Sequence, residues 1–488
     1  MRRLAFAVAL LLAVLAAGAG AQAPPLSLLA PPPAPPPAAP PANIVFVLTD
    51  DLSWDLVPHM PAVRQLQRDG ATFSRYIVSN SLCCPSRTSI FTGRLPHNSR
   101  VQANVPPLGG YKQFLAAGNG ASTYATSLQM AGYRTALMGK FLNGYLAQRD
   151  PPLPGFSDWK AVANGYRQYD YVLNDNGVPT YLEGPGSFHN SILTRDAEAF
   201  IDSSAATRTP FVLELSSFSP HAPFVAAPQD EGAFPFLHVP RKGAFAKANR
   251  DAPDWLAGRP PLRRSQKRRM DRVRMKRAEA VQAVDRMVAS VRARLAATGL
   301  AGNTYFVFTS DNGFHTGEHR LLAGKQTVFD TDIRVPLIVA GPGVPPGTRT
   351  DVLAQNTDLR PTFEAMAGRP VSTDVDGVSL LPWLQVPALL GGRGAALVEH
   401  VQAARRPGVD PDAQGRPAGN PPDYTALRLP NATYVEYVTG EFEYYDLLED
   451  PDQRTNRYFD LSRERRDELA RRLAALRACV GAAACARP

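Results

Sequence analysis

The stretch AEAVQAVDRMVASVRARLAATGLAGNTYFVFTSDN, residues 278–312, reads as a helix that feeds a strand. Val281, Val284, Met287, Val288, Val291 and Leu295 recur at helical spacing, which makes one face apolar. Gly299 and Gly302 stop that helix. Residues 304–309, TYFVFT, are then continuously β-branched or aromatic. A run of that kind suits a strand buried on both faces of its sheet. Three other short, largely apolar runs also read as strands: 44–49 (IVFVLT), 135–138 (TALM) and 211–216 (FVLELS). Shorter helical segments at 61–70 and 123–131 lie among them. Strands alternating with helices predict an α/β sandwich around a large, mostly parallel sheet.

Each of the four strands runs into polar residues. Residues 44–49 lead to Asp50 and Asp51, and 135–138 to Gly139 and Lys140. Residues 211–216 precede Pro220, His221 and Pro223, and 304–309 lead to Asp311, Asn312 and Gly313. Open α/β sheets bind ligands beyond the carboxyl ends of their strands, so these ends predict one site. Asp50, Asp51, Asp311 and Asn312 offer hard oxygen donors, which suit Ca²⁺ or Mg²⁺. Nothing has the Cys/His spacing of a zinc site.

Residues 81–94 read SLCCPSRTSIFTGR. Taken alone, Cys83 and Cys84 are compatible with ordinary buried thiols. The order C-x-P-S-R from Cys83 to Arg87, followed by Thr92, Gly93 and Arg94, resembles the signature of the formylglycine-dependent sulfatases. Residues 132–145, GYRTALMGKFLNGY, are similar to that family's second signature and contain Lys140. SPHAPF around His221 and GEHRLLAGKQTVFDTDIRVPL around Lys325 are similar to its histidine and late-lysine segments. EYYDLLEDPDQRTN, residues 443–456, is similar to its closing segment.

The resemblance implies an alkaline-phosphatase-like sandwich with a smaller C-terminal α+β domain holding an antiparallel sheet. It implies that a maturation enzyme oxidises Cys83 to formylglycine, whose hydrate attacks sulfur. It implies a divalent metal held by Asp50, Asp51, residue 83, Asp311 and Asn312, with Arg87, Lys140, His221 and Lys325 as the cationic catalytic groups, suited to charge developing on a sulfate. Many members carry Gly-Lys-Trp-His, whereas this chain has Gly139-Lys140-Phe141-Leu142-Asn143 and lacks that histidine. This form is similar to the branch of N-acetylglucosamine-6-sulfatases and heparan endosulfatases. His315 or His319 is a candidate for the missing role, and Asn143 for a substrate contact. The implied activity is hydrolysis of a sulfated sugar of the N-acetylglucosamine 6-sulfate type, or of an aryl sulfate. The alternatives are a phosphoester or phosphonate hydrolase on the same fold, and a catalytically silent sulfated-glycan-binding protein.

The remaining features bound the whole chain of 488 residues. Residues 1–23 pair Arg2 and Arg3 with an apolar run and small residues at 19–23, the pattern of a cleaved signal peptide. A secreted or periplasmic protein is expected, with no membrane span. Residues 24–42 are almost only Pro, Ala and Leu and read as a linker. Residues 43–384 form the expected catalytic domain and 385–488 the smaller one. In the latter, 432–438 and 441–447 read as antiparallel strands and 463–479 as a helix. Export permits disulfides, and Cys479 with Cys485 is the expected pair, whereas adjacent Cys83 and Cys84 are badly placed to bond each other. The net charge is +9, and nine of the fifteen residues 263–277 are basic. That run reads either as the solvated face of a helix beginning or as a patch for a sulfated glycan. Nucleic acid is a poor third, since no nucleic-acid-binding motif accompanies it.

Overall fold

The computed structural model describes residues 41–402, 412 and 414–486. The proposed signal peptide and most of the linker lie outside the described residues.

The four anticipated strands are neighbours. They are β1 (Asn43–Thr49), β3 (Arg134–Lys140), β7 (Phe211–Ser216) and β8 (Thr304–Ser310). Six more complete a ten-stranded sheet: β2 (Ala71–Ile77), β4 (Asp158–Val162), β5 (Tyr171–Asp175), β6 (Val178–Leu182), β9 (Leu337–Ala340) and β10 (Thr348–Gln355). The strand order is β10-β2-β9-β8-β1-β7-β3-β4-β5-β6. The run β8-β1-β7-β3-β4 is parallel throughout, while β9, β5 and β6 pair antiparallel with their neighbours. The sheet is therefore mixed at its margins and parallel at its centre, where both faces are covered.

Helices cover the two faces. On one side lie α1 (Pro61–Asp69), α4 (His189–Thr207) and α5 (Arg264–Ala297), packed on Val45 and Val47 of β1. On the other lie α2 (Cys83–Thr92), α3 (Tyr124–Met130) and α6 (Leu359–Met366), packed on Ile44, Phe46 and Leu48. Alternate residues of one strand thus feed two separate cores. Helix α5 starts fourteen residues before the apolar face detected from position 278, because the basic run contains good helix formers and no breaker.

Strands β11 (Ala396–His400), β12 (Tyr424–Arg428), β13 (Ala432–Tyr437) and β14 (Phe442–Asp446) form a separate antiparallel sheet. Helix α7 (Arg463–Arg477) packs Leu469, Leu473 and Leu476 on it. Cys479 and Cys485 form the expected disulfide, and Cys83 and Cys84 are free and buried. No helix among the described residues is long and apolar enough to cross a membrane.

Candidate active site

Because β8, β1, β7 and β3 are adjacent and parallel, their carboxyl ends open onto one place. The backbone is shaped for this. Asp51 adopts a left-handed conformation with φ 65°, which Asp tolerates better than most residues. Its carbonyl accepts from Arg277 Nη2, and its N–H donates to Asp311 Oδ1 at 3.2 Å. Gly139 has φ 104°, and a Cβ there would stand 2.1 Å from the Ser216 carbonyl. Only glycine lets β3 approach β7 closely enough to deliver Lys140.

Cys83 opens α2, a helix buried along its whole length. Its Sγ lies 3.3 Å from Asp50 Oδ1 and 2.9 Å from Lys325 Nζ. Lys325 also donates to Asp51 Oδ1 at 2.7 Å, and Lys140 Nζ donates to Asp50 Oδ2. One turn along α2, Arg87 donates from Nε to Asp311 Oδ2 at 2.8 Å and from Nη1 to Ser216 Oγ at 2.6 Å. Asn312 Nδ2 donates to Asp51 Oδ1 at 2.6 Å. The helix N-terminus adds a partial positive charge at residue 83.

A further carboxylate enters from the segment before β12. Asp412 Oδ1 accepts from His221 Nε2 at 2.6 Å and lies 3.0 Å from Lys325 Nζ. Its Oδ2 accepts from Asn104 Nδ2 at 2.8 Å and faces Cys83 Sγ at 3.3 Å. The site therefore grips an anion beside residue 83. His221 Nδ1 meets the Ala222 carbonyl at 2.7 Å. Both ring nitrogens face acceptors, so both carry protons. Burial opposes that charge, but Asp412, Asp50 and Asp51 outweigh it and raise His221 to about 9.

The same fields keep Cys83 a thiol. Burial, then Asp412 and Asp50, push its pKa well above the ordinary value, against Lys140 and Lys325. A thiolate nucleophile needs the opposite environment. Burial also raises Asp50 to about 6, with Asp311 and Asp51 adding to it against Lys140 and His221. Each of the three carboxylates faces a cationic side chain, Asp50 Lys140, Asp51 Lys325 and Asp311 Arg87, so the fit to a metal rests on the donor atoms. The donor set fits a hard divalent ion: ligand atoms of Asp50, Asp51, Cys83 and His221 lie within 4.8 Å of one another. Asn312 Oδ1 is buried with no hydrogen-bond partner among the described residues. Protonation takes His221 out of that set, and Asp311 and Asn312, both hydrogen-bonded to Asp51, add oxygens beside those of Asp50 and Asp51.

All nine residues of the anticipated nucleophile, metal and cation sets thus fall in one buried cluster. Asn143, His315 and His319 do not hydrogen-bond to any of them. His315 is held by Asp332 and the Ala418 carbonyl, and His319 by Asn249 while stacked on Phe329. The Asn143 carbonyl accepts from the Tyr111 N–H. The sequence reading missed Asp412, Asn104 and Tyr166, whose ring lies 4.5 Å from that of His221 and 5.1 Å from Lys140 Nζ. These come from irregular segments with no periodicity to mark them. Ser216 had a signal, its place at the end of β7.

Comparison with known proteins agrees with this geometry. The model of the sulfatase family matches residues 42–368. Human N-acetylglucosamine-6-sulfatase is 33% identical over 472 residues, which cover 90% of this chain and 85% of that one. The Drosophila melanogaster extracellular sulfatase SULF-1 homolog is 34% identical over 350 residues, 70% of this chain and 31% of that one. Among solved structures, a protein in complex with its substrate D-glucosamine-2-N,6-O-disulfate superposes with a TM-score of 0.73 at 21% identity. That match covers 89% of this chain and 97% of the other.

Proposed function

Because this chain belongs to the sulfatase family, we propose that it removes sulfate from a sulfated sugar carrying an N-acetylglucosamine 6-sulfate unit, after export from the cell. The observation that carries the reading is the set of Lys140, His221 and Lys325 around Cys83, of which His221 and Lys325 already grip the Asp412 carboxylate while Lys140 holds Asp50. The relative's substrate and the signal-peptide pattern of residues 1–23 supply the rest.

In this reading Cys83 is a precursor. Its oxidation to formylglycine by a maturation enzyme would provide an aldehyde hydrate, an oxygen nucleophile that the buried thiol is not. Ca²⁺, or Mg²⁺, held by Asp50, Asp51, Asp311 and Asn312 would supply Lewis acidity at position 83. The sulfate takes the place of the Asp412 carboxylate, with Lys325 and Lys140 balancing its oxygens. Arg87 fixes Asp311 and the Lys140 carbonyl, and so the distance between α2 and the strand ends. His221 holds a proton at Nε2 for the departing sugar oxygen.

Two outcomes test this. The peptide containing Cys83, taken from protein secreted by its own host, is expected about 18 Da lighter than the unmodified sequence. An unmodified thiol would shift the reading to a silent glycan-binding protein. Side by side, the enzyme is expected to release sulfate from N-acetylglucosamine 6-sulfate and aryl sulfate faster than phosphate from aryl phosphate. A strong phosphate preference would indicate a phosphoester or phosphonate hydrolase instead.

Chelation gives an independent measure. Dialysis against EDTA is expected to abolish turnover and lower the unfolding midpoint, and Ca²⁺ to restore both. At about a hundred times its Kd, a single bound ion stabilises by about 2.7 kcal/mol. An unfolding midpoint and activity indifferent to chelator and to added ions would remove the metal from the mechanism.

A further inference from the structure

Helix α5 is charged in two different ways along its length. In its C-terminal half the arginines are matched: Arg286 pairs with Asp230 at 2.6 Å, Arg292 with Asp69 at 2.5 Å, and Arg294 with Asp202. On the outer face of its N-terminal half they are not. Arg264, Arg268, Arg269, Arg272 and Lys276 are exposed, and none pairs with a carboxylate among the described residues. The helix's own Asp271 is turned away to Arg241 and His238. At 100° per residue these five cations lie on one arc of about 140°, and they extend for about 18 Å along the axis. The inner face of the same segment is committed elsewhere, with Arg277 at the Asp51 carbonyl and Arg274 beside Asp55.

A second basic feature adjoins the start of this helix. A cleft of about 400 Å³ is lined by Trp255, Arg259, Gln266, Arg320 and Arg416, with Asp254 as the one acidic group of its lining. Arg320 donates to the Arg259 carbonyl at 2.6 Å, and Arg259 to the Arg416 carbonyl at 2.7 Å. The guanidinium groups of Arg259 and Arg320 are therefore held by backbone oxygens, and none of Arg259, Arg320 and Arg416 pairs with a carboxylate among the described residues. Nε of Arg259, Nε of Arg320 and the indole N–H of Trp255 are buried with no partner among the described residues. Arg259 lies 5.7 Å from the Trp255 ring centroid. Clustered like charge is costly unless an anion relieves it, and an aromatic wall beside arginines suits a sugar bearing anionic groups.

We propose that the cleft at Trp255, Arg259, Arg320 and Arg416, continued by the exposed arginines of α5, is a second binding site that holds an extended sulfated polysaccharide outside the catalytic pocket. The proposal goes beyond removal of one sulfate, and it rests on that reading only for the choice of polymer. The charge is spread along a line, which matches a chain with regularly repeated anions better than a compact ligand. Cleft and stripe together give that chain one aromatic contact and a row of salt-sensitive ones.

The test uses the full protein and heparin as the sulfated polymer. Binding is measured at several salt concentrations for the wild type, for the quadruple variant R264Q/R268Q/R272Q/K276Q, and for R320Q/R416Q. Glutamine keeps helix propensity while removing charge. The quadruple variant is expected to bind heparin about tenfold or more weakly and with a flatter salt dependence. Its sulfate release from the monosaccharide N-acetylglucosamine 6-sulfate should be unchanged. The double variant should also weaken heparin binding, most at low salt where its two lost charges are least screened. Undiminished heparin affinity in both variants would overturn the proposal. So would equal losses for phosphatidylserine vesicles or duplex DNA, which would show a general anionic surface. Absence of sulfate release from any substrate, with heparin binding still lost in the variants, would defeat the catalytic reading and leave this site standing.

Discussion

Replacing Arg87 with alanine is expected to remove activity and to destabilise the fold by about 3–5 kcal/mol, the usual result of breaking a buried ion pair from one side. Arg87 is fully buried, and its partner Asp311 is equally inaccessible. Its guanidinium joins three strand ends at once: Asp311 after β8, Ser216 of β7 and the Lys140 carbonyl of β3. Burial pushes the Asp311 pKa up, but Arg87, then Lys140 and Lys325, outweigh it and hold the carboxyl below 3.8. A depressed carboxyl contributes stability that is present above 3.8 and disappears as pH falls through its folded value. The variant should lose that term, and its acid unfolding should begin at higher pH. Arg87→Lys restores the charge without the two-pronged geometry, so it should recover part of the stability and little of the turnover. Denaturant unfolding with sulfate release on the same preparations checks all three statements. An Arg87→Ala protein as stable as the wild type would show that the buried pair does not tie the site to the sheet.

That coupling of site to sheet explains what was legible in the sequence. The central strands announced themselves because burial on both faces demands an unbroken apolar run, as in residues 44–49 and 304–309. The outer strands did not. Strand β6 is largely exposed and contains Pro179, and β10 begins with exposed Arg349 and Asp351 and carries a register shift. Site residues at the ends of central strands were legible for the same reason, together with those in the cysteine motif. Asp412 was hidden because it comes from a Gly-, Pro- and Arg-rich segment, remote in sequence, with no pattern to place it. His315 and His319 mislead in the opposite direction. They follow Asp311 closely, yet the chain turns at Gly317, with φ 113°, and Asp332 and Asn249 take their rings. Nearness in sequence to a strand end places a residue only while the backbone stays extended.

His221→Asn is expected to lower kcat by about 10²–10⁴, the range for losing a positioned general acid. The Nδ1–H held by the Ala222 carbonyl orients the ring, and Nε2 points its proton at the anion position occupied by Asp412. Asparagine can still donate a hydrogen bond there but cannot give up a proton near neutral pH. The pH profile separates these roles. With its pKa raised from 6.5 to about 9, His221 is charged throughout the neutral range and discharges as pH rises through about 9. Wild-type kcat/KM should therefore fall on an alkaline limb near that value, and the variant should be slow and flat across it. The folding contribution runs the same way: it is complete below 6.5 and is lost as pH rises through about 9. A variant that keeps the alkaline limb would assign the transferred proton elsewhere. Lys140 would not supply that limb, since burial opposes its charge but Asp50 and Cys83 outweigh that and hold its pKa well above the usual lysine value. In that case His221 would only hold the sulfate, and His221→Asn would raise KM while leaving kcat near the wild-type value.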